Sequence, residues 1–107
     1  MAENALAANP DFDLALEHLA VISEAQGDFE RQRDYLSRAL SLTPGSPVNH
    51  LNLGMTLCEL GQMDEGGNNI REAIRLFPQY AQDTVLHELA EKGQLPPDVV
   101  AMLQPAG

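Results

Sequence analysis

A chain of 107 residues with 16 acidic and 6 basic side chains carries a formal net charge of −10, which repels nucleic acid and anionic lipid and excludes both as expected partners. An apolar fraction of 44% and a charged fraction of 21% fit one globular domain rather than a disordered chain. A single Cys cannot form an internal disulfide, no stretch is long and apolar enough to span a membrane, and the opening MAENALAANP has no signal-peptide pattern, so a cytoplasmic location is expected.

The elements follow a period. Pro10, Pro44 and Pro78 recur every 34 residues, and so do Ala5, Ala39 and Ala73. A fixed period of this length signals a repeat architecture. Residues 3–8 read as the last turns of a helix closed by Pro10. Residues 13–46 form the first full unit. Its first helix carries Leu14, Leu16, Leu19, Ala20 and Ile22 mostly at i, i+3, i+4 spacing and ends at Gly27. Asp28 suits the start of the second helix, which carries Tyr35, Leu36, Ala39, Leu40 and Leu42 before Pro44 stops it. Residues 47–80 repeat the plan, with Leu53, Gly54, Leu57 and Leu60 before Gly61, then Ile70, Ala73, Ile74 and Leu76 before Pro78. Residues 81–92, AQDTVLHELAEK, read as a third first-type helix, which Gly93 ends two positions earlier than the period requires. A short final helix is expected from Asp98 to about Gln104, with Pro97 in its first turn. No stretch alternates as a strand does.

The predicted fold is all-α, a solenoid of stacked antiparallel helix hairpins. It comprises about two full repeats, a partial third over residues 81–104 and a capping C-terminal helix, in one domain over residues 1–107. The motifs resemble the tetratricopeptide repeat. Its slots are filled by Leu16, Leu19-Ala20 and Ser23, then His50, Leu53-Gly54 and Leu57, on the first helices. Leu36, Ala39 and Pro44, then Ile70, Ala73 and Pro78, fill those on the second helices, and Gly27-Asp28-Phe29 and Gly61-Gln62-Met63 match the turn. Ser23 and His50 replace large residues, and Gln32 stands where a small residue is usual, while Gly66 fits that slot.

The resemblance implies a concave face lined by the first helices that binds a segment of another protein. Helical spacing places Leu14, Glu17, Val21 and Glu24 there in the first unit. Val48, Leu51, Met55 and Cys58 follow in the second, and Gln82, Val85, Leu89 and Lys92 in the third. Asn52 matches one slot of the branch of the family that grips a peptide carboxylate. Glu17, Val21, Gln82 and Leu86 stand where that branch needs Lys, Asn, Lys and Arg, so an anionic peptide end is not expected. The groove is apolar with an acidic edge, which suits a protein or peptide partner with aliphatic anchors and some basic residues. The other readings are self-assembly, including a homodimer, and an accessory repeat domain of a larger protein or enzyme.

No enzymatic role is expected, and no cofactor or metal. His18, His50 and His87 lie on successive first helices at different helical phases, without a convergent ligand set. Cys58 has no His within one turn on its helix and reads as a small packed thiol. Gly66-Gly67 falls in the first turns of a helix, where each Gly weakens it by roughly 1 kcal/mol. Close helix approach accounts for Gly66. Nothing in the sequence accounts for Gly67, so Gly67→Ala is expected to stabilise slightly.

Overall fold

The computed structural model describes residues 10–104, with side chains from Ala15 onward. Regular structure in this range is helical throughout. It comprises α1 (Pro10–Ala25), α2 (Phe29–Leu42), α3 (Pro47–Glu59), α4 (Met63–Leu76), a 3-10 turn (Pro78–Gln82), α5 (Thr84–Glu91) and α6 (Pro97–Met102). The helix expected over residues 3–8 lies outside the described residues. Pro10 is the first residue of α1. Proline is tolerated there because a first-turn N–H has no intrahelical acceptor to lose.

Three turns are built alike. Gly27, Gly61 and Gly93 take φ of 73°, 84° and 72°, the left-handed conformation that a side chain would strain. Behind each, the next residue's N–H donates to a carbonyl five residues back: Asp28 to Ser23, Gln62 to Leu57 and Gln94 to Leu89, each at 2.8 Å. These are Schellman closures, and they satisfy carbonyls that a helix end otherwise leaves unpaired. Helix starts are set by side-chain caps. Asp28 Oδ1 accepts from the Arg31 N–H at 3.2 Å, and Ser46 Oγ accepts from the Asn49 N–H at 3.3 Å. Asp83 Oδ1 accepts from the N–H groups of Val85 and Leu86 at 2.9 and 3.1 Å. That cap starts α5 at Thr84, so the expected helix over 81–92 is shortened, its opening residues going to the 3-10 turn.

The chain divides into two compact units, residues 1–45 and 46–107. The boundary falls on the Gly45-Ser46 link between the two repeats. Hairpin proteins make most of their contacts locally, which favours such a division. In the first unit α1 and α2 form an antiparallel hairpin, with Leu16, Ala20, Ser23, Gln32, Leu36 and Ala39 buried. In the second unit one apolar cluster joins Leu51 and Cys58 of α3, Ile70, Ala73 and Ile74 of α4, Leu86 and Leu89 of α5, and Val99 of α6.

Two features fix the second unit. The α3 and α4 backbones approach so closely at Gly54 and Gly66 that no Cβ fits at either position. The short α6 is held to α4 by an Arg71–Asp98 ion pair, while the Pro96 ring sits over Gly67. Beyond α6 the Gln104 N–H donates to the Ala81 carbonyl at 2.9 Å.

Candidate functional site

In the second unit, α3 sorts its residues by phase. Val48, Asn52 and Met55, at i, i+4 and i+7, share the outward stripe, Val48 being exposed and the other two half-buried. Leu51 and Cys58 fall on the neighbouring stripe, and both are core residues. These two positions are therefore corrected from groove-lining to core. They support the surface from beneath, and Met55 packs against their cluster.

Cys58 illustrates the difference. Its Sγ lies in the gap above Gly66, close enough that a Cβ there would come within 2.6 Å of the sulfur. Burial, together with the nearby Glu59 carboxylate, pushes the thiol pKa up from 9.0 to about 11. At neutral pH the group is a protonated apolar filler and neither a nucleophile nor a metal ligand.

On α5, Leu89 is also corrected to a core residue, and the cause is a register shift. Counting back from the turn glycine, Ser23, Leu57 and Leu89 stand four residues before Gly27, Gly61 and Gly93, and all three are buried. Ala20, Gly54 and Leu86 stand seven before and are buried too. The early Gly93 moves the whole third unit by two residues relative to the 34-residue count. Val85 stays exposed, as do Gln82 and Lys92. The signal was present in the sequence, since the glycine is the fixed point of each unit and the proline is not.

In the first unit, Val21 is the most open of the large apolar residues among those described, at 64% exposure. Glu17 is half-buried and Glu24 exposed. The Leu14 side chain lies outside the described residues. Glu24 has a partner that sequence reading missed: Gln32 Nε2 of α2 donates to its carboxylate at 2.8 Å. The acidic edge is thus partly built into the hairpin. No Lys or Arg occurs along α1, so nothing on this helix neutralises Glu17 and Glu24.

Two of the histidines tie elements together. His50 Nδ1 lies 3.0 Å from Asn69 Oδ1, tying α3 to α4, and the carbonyl of Ala81 receives His87 Nε2 at 3.2 Å. His18 is exposed on α1. Among the described residues no three His, Cys, Asp or Glu side chains converge to hold a metal ion. No helix among them is long and apolar enough to cross a membrane. Sequence reading also missed Phe77 and Tyr80, whose rings pack at 4.8 Å between centroids beside the 3-10 turn, with Phe77 exposed.

Capped helical hairpins among the described residues, with open apolar residues on their first helices, define the class as a helical-repeat protein. Residues 14–46 match the family model of the tetratricopeptide repeat. Among curated proteins and among solved structures, nothing matches the chain. Repeats of this family generally mediate contacts between proteins.

Proposed function

We propose that the chain is a non-enzymatic interaction module whose first-type helices hold a segment of a partner protein. The segment is an amphipathic helix or extended stretch with aliphatic anchors and some basic residues. The observation that carries this reading is the α3 stripe. Val48 stands exposed with Asn52 and Met55 behind it on the same phase, over a floor of fully packed Leu51 and Cys58. A rigid helix with a firm floor presents an apolar patch in a fixed geometry, and Met55 adapts to irregular aliphatic partners. Val85 on α5 and Val21 on α1 extend the same character within their own units. The excess of acid, −10 over the chain, favours basic residues beside the anchors and speeds their encounter. A cytoplasmic setting belongs to this reading, since the buried free thiol of Cys58 needs no oxidising compartment.

The test is affinity capture from the source cell, followed by calorimetry with the captured partner's binding segment as a synthetic peptide. Val48→Glu and Met55→Glu are each expected to weaken the peptide at least tenfold, with melting near wild type for Val48→Glu and a modest loss for the half-buried Met55→Glu. Affinity is expected to fall as salt rises. Equal binding by wild type and both variants would overturn the assignment of this face.

A further inference from the structure

A second apolar face lies on α1, on the side away from Glu17 and Glu24. With Leu16, Ala20 and Ser23 pointing into the hairpin, a rotation of about 100° per residue places Leu19 and Ile22 about 60° and 120° to one side. The two glutamates lie about 90° to the other side. Ala15 and Gln26 continue the stripe at either end. All four are exposed, Leu19 at 40% and Ile22 at 52%.

The 34-residue period gives this exposure its meaning. The matching stripe on α3 is Asn49, Leu53, Thr56 and Leu60. Its central pair, Leu53 and Thr56, is exposed by only 6% and 1%, and Asn49 by 1%. The same positions are thus buried in one hairpin and open in the other. The open version is the more apolar at its centre, Leu19 and Ile22 against Leu53 and Thr56. A helix that is apolar beyond its core stripe is one that expects cover.

We infer that this face pairs with the same face of a second copy of the chain, α1 lying antiparallel to α1 about a two-fold axis. Three observations favour a second copy. The spacing of 15, 19, 22 and 26 is self-complementary in that arrangement. Leu19 meets Ile22 of the second copy and Ile22 meets its Leu19, while the small Ala15 receives the longer Gln26, so each contact occurs twice. The stripe carries no charged side chain. It is therefore a face on which two chains of charge −10 can meet without opposing carboxylates, because Glu17 and Glu24 stay on the far side of each helix. A basic partner, by contrast, finds no carboxylate on this stripe to recognise. One four-residue helix stripe on each side is a small contact, so a weak, concentration-dependent dimer in the upper micromolar range is expected.

Sedimentation equilibrium of the full chain from about 10 µM to about 1 mM spans that range. The weight-average mass is expected to rise from 11.6 kDa towards twice that value. Leu19→Glu and Ile22→Lys are each expected to stay monomeric, with wild-type circular dichroism and melting. Their equimolar mixture is expected to recover the dimer, because Glu at 19 of one copy then meets Lys at 22 of the other. Dilution of the wild type followed by amide NMR reads the same face without any variant, and Ala15, Leu19, Ile22 and Gln26 are expected to shift most. A wild type that stays monomeric at the highest concentration overturns the inference. So does a Leu19→Glu chain that still dimerises, a mixture that stays monomeric, or dilution shifts that fall elsewhere. Contacts from residues 1–9 onto Leu19 in a monomer also overturn it, by assigning the face to the chain's own first residues.

Discussion

Gly54 on α3 and Gly66 on α4 face each other so closely that a Cβ on either would lie 2.8 Å from the other's carbonyl oxygen. The neighbours leave no more room: a Cβ at Gly54 would meet Ile70 Cγ1 at 2.6 Å, and one at Gly66 would meet Cys58 Sγ at the same distance. Backbone cannot rotate out of the way as a side-chain end can. Overpacking of this kind costs about 1–3 kcal/mol, and the helix-propensity gain of about 1 kcal/mol offsets only part of it. Gly54→Ala and Gly66→Ala are therefore each expected to lower stability by up to about 2 kcal/mol. The melting temperature should fall by several degrees. Thermal unfolding followed by circular dichroism checks this, and unchanged melting for either variant would contradict the close approach.

Gly67 sits one residue on, and its case reverses the expectation drawn from propensity alone. A Cβ there would lie 2.9 Å from Pro96 Cγ and 3.2 Å from Arg71 Nη1. Arg71 can move its far end, but the Pro96 ring is fixed at the start of α6 and gives little. Gly67→Ala is expected to lose about 1 kcal/mol net instead of gaining that amount. In a Pro96→Ala background the same substitution should become neutral or stabilising. A double-mutant cycle by urea unfolding measures the coupling.

Gln32 and Glu24 occupy, in the first hairpin, the positions that Gly66 and Cys58 occupy in the second. Where the second hairpin closes on bare backbone, the first accommodates a whole amide. Its Nε2 reaches Glu24, but its buried Oε1 meets no donor among the described residues. An acceptor buried without a donor costs about 1–3 kcal/mol, while the bond to Glu24 ends on a carboxylate that water can solvate. Gln32→Met keeps the volume and removes the unpaired oxygen, so it is expected to stabilise the chain by about 1 kcal/mol. A lower melting temperature for this variant would show that the amide contributes more through Glu24 than it costs.

The helical fold was legible because its markers are local. Pro44, Pro78 and the three left-handed glycines act on their own few residues, and Leu36, Ala39, Ile70 and Ala73 repeat in register. The candidate surface was less legible because helical spacing gives a phase but not what covers it. Leu51 and Cys58 share their helix with Val48 and Met55, and only the packing of α4 to α6 in the second unit makes them core. Leu89 was misplaced because the period was counted from prolines, while the third unit is set by Gly93 and the Asp83 cap. Ser23, a small residue in a slot for a large one, is explained only by coordinates: it is buried, and its Oγ donates to the Leu19 carbonyl at 2.9 Å.

Cys58 supplies a test by pH. Its folded pKa, about 11, lies above the 9.0 of a free thiol. Below pH 9 both the folded and unfolded chains hold the proton, and the thiol leaves stability unchanged with pH. Between about pH 9 and 11 the unfolded chain releases its proton while the folded chain retains it, so rising pH favours unfolding through this window and levels off above it. Unfolding in urea at a series of pH values is expected to show this decline in wild type and a smaller one in Cys58→Ala. The same burial predicts slow labelling of the native chain by a thiol reagent at pH 8 and immediate labelling in urea. Rapid labelling of the native protein would place the sulfur at the surface, return Cys58 to the binding face and remove the firm floor on which the α3 stripe depends.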